Sequence, residues 1–132
     1  MPNKTAAKQW LEKSFHNLSA AEILMNANHY TDVIGQELQQ ALEKMLKAFM
    51  AFENARIPKT HNLVELYELV SDCICISDAD VLLLAKATKF YVEERYPIGG
   101  LIMPDRTEIA NILALSKRLH INVINILCID SE

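Results

Sequence analysis

Between Ile34 and Phe52 the apolar residues return every three or four positions, as Ile34, Leu38, Ala41, Leu42, Met45, Phe49 and Phe52. A backbone with 3.6 residues per turn gathers them into one wide stripe, whereas a strand would scatter them over two faces. Gln36, Glu37, Gln39, Gln40, Glu43, Lys44 and Lys47 fill much of the remaining surface. A helix with so broad an apolar face has to be covered by others.

The rest of the chain supplies them. A first helix is expected from about Thr5 to Asn28, where Trp10, Leu11, Leu18, Ala21, Leu24 and Met25 share a face. The second starts near Thr31, whose hydroxyl suits the free amides, with Asp32 at the positive end of the helix. Pro58 is expected to stop it before Lys59, since proline cannot continue a helix. The third opens around Thr60 to Asn62, with Asn62 and Glu65 at capping-box spacing. Ser77 and Asp80 open a fourth, which carries Val81 to Ala85 and later Phe90, Tyr91 and Val92. It is apolar nearly all round at its start, which predicts a place at the centre. Arg95-Tyr96-Pro97 ends it, and residues 98–104 read as a loop. Asp105 and Glu108 open the fifth, with Ile109, Ile112, Leu113, Leu119, Val123 and Leu127 inward. Short connections make neighbouring helices antiparallel. The expectation is an all-α, up-and-down helical bundle of about five helices, with residues 1–132 as a single domain.

Composition agrees. The 132 residues are 51% apolar, enough for a core, and contain only 3 Gly and 4 Pro, too few for the turns of an all-β chain. The net charge of -4 argues against a surface that binds nucleic acid indiscriminately, so any such contact must be local. Cys73, Cys75 and Cys128 are odd in number and lack zinc spacing, and read as reduced, buried thiols. His16, His29 and His120 share no ligand spacing with acidic residues or cysteines, so no metal site and no cofactor are expected. The serines lack a nucleophile elbow, and Gly99-Gly100 is not followed by the Lys-Ser/Thr of a phosphate loop. No export signal or membrane-length apolar run is visible, which makes the cytoplasm the expected location and a membrane role unexpected.

Three segments in order carry a resemblance. They are Tyr30 followed by Gln39-Gln40-Ala41-Leu42-Glu43-Lys44-Met45-Leu46-Lys47-Ala48, then Pro58-Lys59-Thr60-His61-Asn62-Leu63, then Tyr91-Val92-Glu93-Glu94-Arg95-Tyr96-Pro97. Together they resemble the HEPN family over about Trp10 to Leu127. The resemblance implies a helical bundle that often forms homodimers and is often paired with a small nucleotidyltransferase, as in toxin–antitoxin systems. It implies either a metal-independent ribonuclease with an Arg-x4-6-His motif or a relative that only binds nucleotides, RNA or partners.

Arg56 and His61 have that spacing, with four residues between them. Cleaving RNA through its own 2′-hydroxyl needs a base for that proton and a cation for the phosphorane charge, and His and Arg suit the two tasks. The plainer alternative is that His61 packs at a helix start and Arg56 complements the negative end of the preceding helix. Ile57 stands where the motif usually has a polar residue, and Asn62 replaces the Asp of the Thr-His-Asp-Leu branch; both favour a binding module. Lys44 and Lys47, three apart on the second helix, are candidates for phosphate binding or else part of a solvated face. Arg95 and Tyr96 are further candidates for nucleotide contact, or Arg95 pairs with Glu43 or Glu94. A homodimer is expected on the resemblance and on apolar residues beyond one core stripe: Phe49, Met50, Phe52, Ile124 and Ile126.

Overall fold

The structure is a computed structural model and describes residues 2–91 and 103–129. Among the described residues there are five helices and no strand: α1 (Lys4–Asn26), α2 (Thr31–Phe52), α3 (Leu63–Val70), α4 (Asp78–Thr88) and α5 (Arg106–Leu127). Polar rungs give their directions. Asn3 N–H donates to Phe52 O, Ser14 Oγ to Ala41 O, and Asn17 Nδ2 to Glu37 Oε2, so α1 and α2 run antiparallel. Lys4 reaches Cys128 O and Lys117 reaches Glu22, so α5 is antiparallel to α1. Leu63 N–H donates to Thr88 and Ile76 N–H to Tyr67, so α3 and α4 are antiparallel as well. The up-and-down, all-α bundle follows.

The helix that fills the centre is α2, not α4. It packs against all four others and buries Ile34, Leu38, Ala41, Leu42, Met45, Leu46 and Ala48 completely. The apolar start of α4 predicted otherwise, yet only Leu84 and Ala87 of α4 are buried, and Leu82 is 64% exposed. A run of adjacent apolar residues points in every direction around a helix, and among the described helices α4 packs against α2, α3 and α5.

Helix ends follow local chemistry with four departures, one being that Asp105, at the cap position of α5, makes no side-chain bond. Asn62 caps α3 by accepting from Val64 and Glu65, and Ser77 caps α4 by accepting from Asp80. Thr31, expected as a cap, is instead the first helical residue and is buried; Tyr30 holds the cap position and makes no side-chain bond. Pro58 does not end α2. The helix stops at Phe52, where Asn54 turns left-handed (φ 57°), its N–H bonds Ala51 O, and Ala55 N–H bonds Met50 O. This six-to-one, five-to-two closure satisfies carbonyls that the last turn leaves open. Finally, α4 ends at Thr88, with Phe90 and Tyr91 beyond it, and its expected continuation from Val92 to Pro97 lies outside the described residues.

Phe49 and Met50, expected as surplus apolar surface, are buried in the core, while Ile126 is exposed. The cysteines are free, but only Cys73 is half-buried; Cys75 and Cys128 are exposed, contrary to the expectation of burial. None of the described helices is long and apolar enough to cross a membrane.

Candidate functional site

Four apart along α2 stand Gln39, Glu43 and Lys47, so one helix face carries all three. All are buried, and burial forces each polar atom to find a partner. Lys47 Nζ donates to Glu43 Oε2 at 2.9 Å. Gln39 Nε2 donates to Glu43 Oε1 at 3.0 Å and to His61 O at 3.1 Å, while Gln39 Oε1 accepts from Gln40 Nε2 at 2.7 Å. The ring of His61 completes the cluster, with Nδ1 2.9 Å from Glu43 Oε1. Burial alone would raise the Glu43 pKa, but the bonds from Lys47, Gln39 and His61 outweigh it and hold the carboxyl below its usual range.

His61 sits where the chain enters α3. Thr60 Oγ1 donates to Glu65 Oε2 and accepts from Asn62 N–H, so Thr60 takes over half of the capping box expected between Asn62 and Glu65. The imidazole stacks on Tyr91, with centroids 3.9 Å apart and planes 14° from parallel. Its side chain remains 38% exposed. The result is a flat aromatic pair at the surface, one ring anchored to a buried carboxylate.

The other predicted residues fall elsewhere. Arg56 is exposed in the α2–α3 loop and lines a depression of about 190 Å³ with Phe49, Met50, Glu53, Leu69 and Cys73. Among the described residues no hydrogen bond or ion pair joins it to His61. Lys44 and Lys47 each have a partner inside the chain. Lys44 is half-buried and donates to Asn17 Oδ1 at 2.6 Å; burial lowers its pKa, with Glu37 and Glu43 offsetting part of that. Lys47 faces Glu43, on a different neighbour. Arg95 and Tyr96 lie outside the described residues. No group of three His, Cys, Asp or Glu side chains among the described residues is placed to hold a metal ion.

The residues missed from the sequence are Gln39 and Glu43 as anchors, and Tyr91 as the stacking partner. A signal for the first two was present: three polar residues spaced by four form a row bordering the apolar stripe of α2, which is as consistent with a buried network as with solvent.

Comparison with known proteins bears on the whole arrangement. No curated protein matches the sequence. A crystal structure of the protein TT1696 from Thermus thermophilus is similar with a TM-score of 0.72 at 22% identity, covering 91% of this chain and 97% of that one. The crystal structure of an archaeal HEPN homologue is similar with a TM-score of 0.68 at 16% identity, covering 92% and 97%. At those identities the likeness shows the fold. Residues 7–123 match the family model described as HEPN domain. The chain therefore belongs to the HEPN domain family.

Proposed function

We propose that this HEPN-domain protein is a nucleotide- or RNA-binding module whose contact point is the His61–Tyr91 ring pair, and that it acts as a homodimer beside a small nucleotidyltransferase in a toxin–antitoxin-like pair in the cytoplasm. On this reading residues 1–132 make one domain. The observation that carries it is the stacked pair itself: a partly open aromatic surface, fixed from beneath, suits an unpaired base, which stacks on such rings. Phosphate contact falls to Arg56 and, beyond Tyr91, to Arg95 and Tyr96, because Lys44 and Lys47 each have a partner inside the chain. The acidic net charge fits a local contact better than general affinity for nucleic acid.

A second reading is a metal-independent ribonuclease that uses Arg56 and His61 across a homodimer cleft. What favours it is the contact of His61 Nδ1 with a buried carboxylate, the arrangement of an oriented general base. Fluorescence anisotropy with a labelled single-stranded RNA, followed by gel analysis of the same RNA, separates the two. Binding without cleavage, weakened about tenfold or more in Tyr91→Ala, is the expected result, since one base on an aromatic ring contributes about 1–3 kcal/mol. Cleavage lost about a hundredfold or more in both His61→Ala and Arg56→Ala would establish the ribonuclease instead. Neither binding nor cleavage would refute both readings. Sedimentation at micromolar concentration tests the dimer, and a monomer there overturns it.

A further inference from the structure

We infer that Glu43 is a positioning residue for His61: it holds the proton on Nδ1, so that the site presents Nε2 outward as a hydrogen-bond acceptor. The inference rests on the proposed contact of His61 with a ligand and says how that contact is prepared. Both oxygens of Glu43 are engaged, Oε2 by Lys47 Nζ at 2.9 Å and Oε1 by Gln39 Nε2 at 3.0 Å and His61 Nδ1 at 2.9 Å. Two of these partners can only donate, and an ionised carboxylate can only accept, so Nδ1 must donate as well. A neutral imidazole has one N–H, which leaves the lone pair on Nε2. The lowered pKa of the Glu43 carboxyl is consistent with its staying ionised despite burial.

The ring has little freedom to do otherwise. Gln39 Nε2 holds the His61 carbonyl at 3.1 Å, and Tyr91 covers one face of the imidazole. Lys47 then acts through Glu43 rather than on a ligand: its ammonium balances a charge that could not remain alone in this buried place. A ligand fits by offering a donor to Nε2, as a sugar hydroxyl or an exocyclic amine does.

Imidazole ¹⁵N NMR of the full chain at alkaline pH reads the tautomer directly. The wild-type protein is expected to show His61 protonated on Nδ1. In Glu43→Leu, and in Glu43→Leu with Lys47→Met, which removes both buried charges together and leaves no acceptor beside Nδ1, the proton is expected to move toward Nε2. Circular dichroism checks that each variant is folded. Affinity for single-stranded RNA is expected to fall about tenfold, the loss of one good hydrogen bond. A wild-type ring protonated on Nε2, or a folded double variant that keeps Nδ1–H, overturns the inference. The predicted tautomer change in a protein that binds no RNA upholds the role of Glu43 and removes the proposed function instead.

Discussion

Gly35 lacks a side chain where Phe90 occupies the space that one would need. A Cβ built there lies 2.9 Å from Phe90 Cδ2, 3.0 Å from Phe90 Cγ and 3.4 Å from Ile109 Cδ1. Phe90 is buried, so its ring cannot swing into solvent. Replacing Gly35 with Ala should gain about 1 kcal/mol of helix propensity but cost about 1–3 kcal/mol of overpacking. Net destabilisation is expected in urea denaturation, with Tyr91, the next residue, displaced from His61. A stabilised Gly35→Ala variant would show that Phe90 yields easily. Residue chemistry also sets the acid response. Burial lowers the His120 pKa, and the Leu11 backbone beside the ring offsets only part of this; Nε2 is buried without a well-formed hydrogen bond. A lowered folded pKa means that the unfolded chain takes up the proton first. Stability should therefore fall as pH drops below the ordinary imidazole value of about 6.5. Glu43 adds a second loss at lower pH, as its stabilisation disappears through its lowered folded pKa. His120→Phe should remove the first loss and leave the second, which denaturation midpoints across the acid range would show.

Among the helices, the ends of α1, α2 and α5 share one device. Asn28, Asn54 and Cys128 adopt positive φ, and the residue after each donates back to Leu24, Met50 and Ile124 respectively. Asn tolerates this conformation because its side chain is short and polar; a β-branched residue does not. Asn54→Val should cost about 1–2 kcal/mol and also lose the bond from Asn3 Nδ2. Pro58→Ala should leave α2 ending at Phe52, because the closure and not the proline stops it. Amide exchange across residues 50–60 would test both, and protection extending past Asn54 in Pro58→Ala would restore the proline as the terminator. At the start of α3, which has only eight residues, Asn62→Ala should cost about 1 kcal/mol. The backbone that carries His61 would loosen with it.

For the molecule as a whole, stability is concentrated on α2. Leu38 and Leu46 are completely buried there, so replacing either with Ala should cost about 2–5 kcal/mol. Leu82 on α4 is mostly exposed, and Leu82→Ser should change stability by less than about 0.5 kcal/mol. Chemical denaturation of the three variants distinguishes a bundle centred on α2 from one centred on α4. The same asymmetry places the candidate site: Gln39, Glu43 and Lys47 are fixed because they lie on the most surrounded helix, whereas Arg56 hangs in an exposed loop.

How much of this was written along the chain follows the range of the forces involved. The five described helices, the caps at Asn62 and Ser77, and the wide stripe of α2 are matters of neighbours three or four residues apart, and they are legible before any packing partner is known. His61 could be named as a candidate from the resemblance to the family and the Arg-x4-6-His motif it implies. The ending of α2 at Phe52 rather than at Pro58, the peripheral place of α4 and the burial of Lys47 were decided by the tertiary structure. Each depends on which segment arrives from far along the chain. The row of Gln39, Glu43 and Lys47 would be an ordinary solvated face if nothing covered it. The α2–α3 loop brings back His61, and the turn after α4 brings Tyr91, and exclusion of water then makes a buried charge find its partners or not form at all.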